Sequence, residues 1–202
     1  VARSKAFDDA TAVAAARDVF WEHGYASTSL AQLQAATGLS KSSLYETYGS
    51  KRGLFDRAVQ SYLDAVIAPR LGPLEAPGAG RAELVAYFTG LAGFFAQAPD
   101  RIARRGCLLL NTAMELTELD PAAAELVRAY RLRVRTAFAR VAHTIFVAPP
   151  PERELMASKI EEAERRADLL TAGQIGLMLT SRLDPALAAQ LATTMADDVR
   201  SW

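Results

Sequence analysis

Between Thr28 and Lys51 the chain reads TSLAQLQAATGLSKSSLYETYGSK, with three helix starts in one short segment. Ser29, with Gln32 three positions later, makes a capping-box pattern, and Leu30, Leu33 and Ala36 recur on one helical face. Gly38 supplies the left-handed residue that lets a helix stop and turn. Leu39 returns inward, and Ser40 caps a second helix whose first turn is Lys41-Ser42-Ser43. Leu44 of that helix faces in, leaving Tyr45 and Tyr48 outside. Gly49 turns the chain again, and Ser50 caps a third helix at Lys51. The segment reads as a helix-turn-helix. Small hydroxyl donors, a cation and two phenols on a capped helix are the groups that DNA phosphates and base edges require.

Composition extends this to the whole chain. Half of the 202 residues are apolar, alanine and leucine dominate, and no run alternates at period two, so the fold class is all-α. Lys+Arg and Asp+Glu balance at 23 each, which argues against a chain that binds nucleic acid over its whole surface. A small basic end remains: within 38–52 Lys41, Lys51 and Arg52 stand against Glu46 alone. The single cysteine, Cys107, excludes an internal disulfide, and with the two separated histidines His23 and His143 no metal site and no cofactor are expected. No apolar run approaches the roughly 18 residues of a membrane span, and VARSKAFDDA lacks the apolar stretch of an export signal. A cytoplasmic location without a membrane partner is the expectation.

The helical period sets the organisation. A first helix is expected over Asp8–His23, with Ala10, Val13, Ala16 and Phe20 inward, ending at Gly24. After the two short helices, another should run from Lys51 toward Ile67 on Phe55, Val59, Tyr62 and Val66. Pro69–Gly80, with three prolines and three glycines, reads as a connector. Leu84, Phe88, Leu91 and Phe95 mark the next helix, Gly106 opens another through Glu115, and Asp120-Pro121 starts a third. A long helix is expected over 152–181, and Asp184-Pro185 caps a last one carrying Leu187, Leu191, Met195 and Val199. Two domains are expected: 1–52, three helices including the helix-turn-helix, and 53–202, a larger helical part.

The N-terminal part resembles the TetR family of bacterial transcription regulators. The likeness rests on Phe20, His23-Gly24-Tyr25, Thr28-Ser29-Leu30, Ala36, Gly38-Leu39-Ser40-Lys41, Ser43-Leu44-Tyr45, Tyr48-Gly49-Ser50-Lys51 and Leu54, in the family's order and spacing. Leu33 stands where the family usually has isoleucine, Thr47-Tyr48 replaces a common His-Phe, and Gly53 stands where a carboxylate is common. Arg105-Gly106-Cys107-Leu108-Leu109-Leu110-Asn111 resembles the Gly-Cys-Leu signature of one branch, some of whose members sense electrophiles or oxidants through a cysteine. The resemblance implies a C-terminal domain that encloses a small-molecule effector and dimerises.

Site expectations follow. DNA contacts are assigned to Ser29, Lys41, Ser42, Ser43, Tyr45, Tyr48 and Lys51; Ser29, Tyr48 and Lys51 are expected at helix N-termini, where the dipole favours phosphate. The effector pocket is assigned to Phe88, Phe95, Cys107, Asn111, Met114, Tyr130 and Phe138, with Asn111 and Tyr130 orienting the ligand. A structural or pocket-lining Cys107 is favoured over a sensor, since no second cysteine could resolve a sulfenic acid. Arg128, Arg131, Arg133, Arg135 and Arg140 read as a solvated face pairing with the carboxylates near Glu161–Glu164. Gly173, Gly176 and Thr180 form a small-residue groove and, with Leu187, Leu191 and Met195, are assigned to a homodimer interface.

These readings combine into a ligand-responsive repressor that binds a palindromic, double-stranded operator as a homodimer and is released by a small-molecule effector. Two rivals remain: a helical adaptor that recruits another protein, and an enzyme with an all-helical active site. No nucleophile–base pair, phosphate loop or metal spacing supports the enzyme, so a non-enzyme is expected.

Overall fold

The hydroxyls of Ser29, Ser40 and Ser50 each start a helix, accepting from the amides of Gln32, Ser43 and Gly53 respectively. In the computed structural model, which describes residues 2–115, 121–148 and 154–202, every regular element is helical: α1 Ala2–His23, α2 Leu30–Thr37, α3 Lys41–Tyr48, α4 Lys51–Tyr62, α5 Ala68–Glu75, α6 Arg81–Gln97, α7 Asp100–Ala103, α8 Leu108–Ala113, α9 Pro121–Phe146, α10 Met156–Leu183 and α11 Pro185–Ser201. One stretch of π-helix, Leu63–Ile67, joins α4 to α5. The expected cap at Asp120 and the first two residues of the helix expected over 152–181 lie outside the described residues.

The chain forms two compact units, Val1–Ala68 with Cys107–Ala124, and Pro69–Gly106 with Glu125–Trp202. This division differs from the expected boundary at 52/53. The reason is burial: Leu54, Phe55, Ala58, Val59 and Tyr62 of α4 turn inward, and α4 packs on α1. A helix start is a local signal, whereas unit membership follows the buried face that comes after it.

In the first unit Phe20 sits edge-on to Phe55 at 5.2 Å, and Trp21 edge-on to Tyr62 at 4.8 Å. Leu33 and Leu44, one from each short helix, are buried with them. Helix α8 returns to pack on α1 and α4. Its N-terminal neighbour Cys107 is buried, and the Tyr62 hydroxyl donates to Cys107 Sγ at 3.3 Å.

In the second unit α6 packs along α11, and both helices bury their facing stripes: Leu84, Phe88, Leu91 and Phe95 on one, Ala188, Ala192, Ala196 and Val199 on the other. The inward stripe of α11 is thus the alanine row, not the row begun by Leu187 and Leu191, which are exposed. Small side chains let the two helix backbones approach closely. The expected connector from Pro69 is also shorter than predicted. Helix α5 runs through Pro73 to Glu75 because Leu71 and Leu74 are buried, and that burial outweighs the lost backbone bond.

Candidate nucleic-acid interface

Helices α2 and α3 are joined by Gly38 at φ +70°, the left-handed conformation expected of it. Ser29 closes the predicted capping box, its amide donating to Gln32 Oε1 at 2.8 Å and its Oγ accepting the Gln32 amide at 3.2 Å. Along α3, Lys41, Ser42, Tyr45, Glu46 and Thr47 are exposed, while Leu44 is buried. The hydroxyls of Ser42 and Ser43 each lie 2.9 Å from Ser40 Oγ. One cap therefore gathers three hydroxyls at the helix start, where the dipole favours an anion.

Two of the assigned residues are held by their own unit. The Tyr48 hydroxyl donates to Asp9 Oδ1 at 2.9 Å, and Arg57 donates to the other Asp9 oxygen at 2.8 Å. Burial first, and then the Asp9 carboxylate, push the Tyr48 phenol up to about 12. Lys51 places its ammonium over the Tyr25 ring, 4.6 Å from the centroid. Burial pulls its pKa down, with the nearby Glu115 carboxylate opposing. The sequence reading gave Asp9, Tyr25, Arg57 and Glu115 no part in the site, because their partners are distant in the chain and no spacing rule links them.

The glycine after Arg52 also has a cause. A Cβ on Gly53 would lie 2.1 Å from the Tyr48 carbonyl oxygen, so the tight passage from α3 into α4 excludes a side chain there.

A capped helix presenting Lys41, Ser42 and Tyr45 beyond a left-handed turn is the geometry of a helix-turn-helix reader, and the comparisons agree with it. Residues 12–58 match the pattern of bacterial regulatory proteins of the tetR family. An uncharacterized HTH-type transcriptional regulator, YezE of Bacillus subtilis (strain 168), is 36% identical over 136 residues, covering 67% of this chain and 69% of that protein. The chain belongs to the TetR family. It is a helix-turn-helix transcription regulator. The HTH-type transcriptional repressor ComR of Escherichia coli (strain K12) is 31% identical over 65% of this chain and 60% of its own length. Among solved structures, a cysteine mutant of the TetR-family regulator CifR, complexed with double-strand operator DNA, superposes with a TM-score of 0.69 at 26% identity, covering 96% of both chains. Another, a TetR regulator from Chloroflexus aurantiacus J-10-FL, reaches 0.71 at 23% identity and likens the fold alone.

The residues assigned to an effector pocket in this TetR-family chain are divided between the two units. Cys107, Asn111 and Met114 belong to the first unit, Phe88, Phe95, Tyr130 and Phe138 to the second. Met114 is 84% exposed at the end of α8, because the turn that follows carries its side chain outward. Phe88 and Phe138 are fully buried and pack on each other with centroids 5.7 Å apart. Tyr130 takes a hydrogen bond from buried Gln174 at 3.4 Å. A hollow of about 370 Å³ in the second unit is lined instead by neighbours of these residues, including Arg70, Glu83, Tyr87, Leu91 and Phe94. There Arg70 stacks on the Phe94 ring at 5.0 Å.

The arginine row on α9 is a paired face, as expected, although its partners differ in part. Arg135 bonds Glu164 at 2.6 Å and Asp168 at 2.7 Å, but Arg133 grips Glu75 of α5 with two bonds of 2.6 and 2.8 Å. The Arg133 guanidinium holds the Glu75 carboxyl below its ordinary range.

Of the small-residue groove, Gly173 is filled from within the chain: a Cβ there would lie 2.6 Å from Met195 Cε. Gly173 and Met195, both half-buried, thus meet between α10 and α11 of one chain. Gly176 remains exposed with no heavy atom within 4 Å of a Cβ position, and Thr180 is half-buried. Beside them Leu169, Leu179, Leu183, Leu187 and Leu191 are exposed, Leu183 by 75%. Residues 169, 176, 179 and 183 recur at helical spacing, so they form one apolar face on α10.

Proposed function

We propose that this regulator is a repressor that binds a palindromic operator as a homodimer and releases it when a small molecule binds. The observation that carries the reading is the exposed face of α3, with Lys41, Ser42 and Tyr45 outward beyond a left-handed turn. One such helix reads few base pairs. Two copies on a two-fold axis, with recognition helices about 34–36 Å apart or a multiple of that, supply affinity and register. The exposed leucines of α10 and α11 support the dimer, since an apolar face of this kind on a lone chain is a liability in water. In this reading the first unit is the DNA-binding domain, and the second holds effector and partner.

The hollow at Arg70 and Phe94 is where we place the effector. Its apolar floor and its cation over a ring suit a small organic acid with an apolar body. By linkage, such a ligand must lose affinity when operator binds by the factor it takes from operator affinity. The experiment is a gel shift against the DNA upstream of the protein's own coding sequence, repeated with Lys41→Ala. Retarded DNA that the variant retards only at higher protein concentration supports the reading, and equal retardation by both overturns the interface.

A further inference from the structure

Glu115 stands 90 residues beyond Tyr25 in the chain, yet its Oε2 accepts the Tyr25 amide at 2.8 Å and the Ala26 amide at 2.9 Å. Those two amides belong to the turn between α1 and α2, where helix ladders leave donors without partners. One carboxylate oxygen taking two consecutive backbone donors is a charge-assisted clamp. Gly24 admits it: a Cβ there would lie 1.9 Å from Glu115 Oε1, and its φ is +81°. The same turn fixes the Tyr25 ring, which lies 5.0 Å from Phe55 and carries the Lys51 ammonium at 4.6 Å. A line of contact therefore runs from Glu115 through Tyr25 to Lys51, all within the first unit.

We propose that Glu115 is a positioning residue for operator binding: it clamps the Tyr25–Ala26 turn, and so sets where α2 starts and where the Lys51 ammonium stands. The proposal rests on the operator-binding reading above. It also predicts a sign that electrostatics alone opposes, because deleting a carboxylate close to a DNA-binding face should otherwise strengthen binding to a polyanion.

The test compares the parent chain with Glu115→Ala, Glu115→Gln, Gly24→Ala and Lys41→Ala in titrations of the upstream duplex at one salt concentration. Glu115→Ala should weaken binding about tenfold, as loss of hydrogen bonds to a charged group implies. Glu115→Gln should recover most of that loss, since a carboxamide oxygen of the same reach accepts both amides. Gly24→Ala, which expels the carboxylate from the other side, should weaken binding too. Amide exchange should quicken at Tyr25 and Ala26 in Glu115→Ala while the α4 amides stay protected, which a general loss of fold would not produce. If Glu115→Ala melts below the assay temperature, the Gln and Gly24→Ala variants decide alone, being parent-like and weakened respectively. Equal or tighter binding by Glu115→Ala, or a loss that glutamine does not reverse, overturns the clamp. Should Lys41→Ala also bind as the parent does, the interface assignment fails instead.

Discussion

The hydroxyl of Tyr48, at the end of α3, donates to Asp9 on α1 across 39 residues of chain, at 2.9 Å. This bond ties the exposed helix to the one beneath it, and it takes up the donor that the sequence reading had offered to a phosphate.

The first prediction is its removal. Tyr48→Phe should lower stability by about 1 kcal/mol, the usual net worth of one hydrogen bond, while leaving operator affinity within about twofold. Because the folded phenol titrates near 12 against 10.0 in its ordinary state, the native protein holds this proton more tightly than the unfolded chain does. Its contribution is complete below pH 10 and fades as pH rises toward 12. Melting curves between pH 9 and 12 should therefore fall more steeply for the parent than for Tyr48→Phe.

Lys41 and Ser43 should separate affinity from selectivity. Lys41→Ala should weaken binding to all duplexes alike and reduce the slope of log K against log salt by about 2, the mark of one lost phosphate contact in each half-site of the dimer. Ser43→Ala leaves the Ser40 cap in place, and its effect should concentrate on particular operator base changes. Titrations against a set of single-base operator variants check both.

Much of this site was legible because its signals are local. Ser29 with Gln32, Ser40 with Ser43 and Ser50 with Gly53 are contacts three residues apart, so the residue string carries them. The buried rows at Phe20, Phe55 and Phe88 were visible for the same reason, through helical periodicity. Glu115 with Tyr25, Asp9 with Tyr48 and Gly173 with Met195 were not, since each pair is joined only by the fold. The prolines of α5 misled for a related cause: local propensity ends a helix at Pro69, and the burial of Leu71 and Leu74 carries it on to Glu75.

A core substitution gauges the first unit. Phe20 is fully buried between Tyr25 and Phe55, so Phe20→Ala should cost about 3–5 kcal/mol through lost burial and an unfilled cavity. Chemical denaturation of parent and variant measures it, and operator binding should fail with the fold.

The outward face of α10 carries the assembly prediction. Gly176→Arg and Leu183→Glu add charge to an exposed apolar row that has no heavy atom above Gly176. Both should yield folded monomers with parent-like helical content and much weaker operator affinity, seen by sedimentation velocity at micromolar protein. Gly173→Ala should instead raise stability by about 0.5–1 kcal/mol, because alanine favours the α10 helix and the flexible end of Met195 in the same chain can swing aside.

The most direct measurement is an anisotropy titration of the protein's own upstream DNA beside an unrelated duplex of equal length, at several salt concentrations. A DNA-reading dimer should saturate the upstream duplex at two chains per site, prefer it by about a thousandfold or more over the unrelated one, and lose affinity steeply as salt rises. Equal affinity for the two duplexes, or no saturable binding to either, would contradict it.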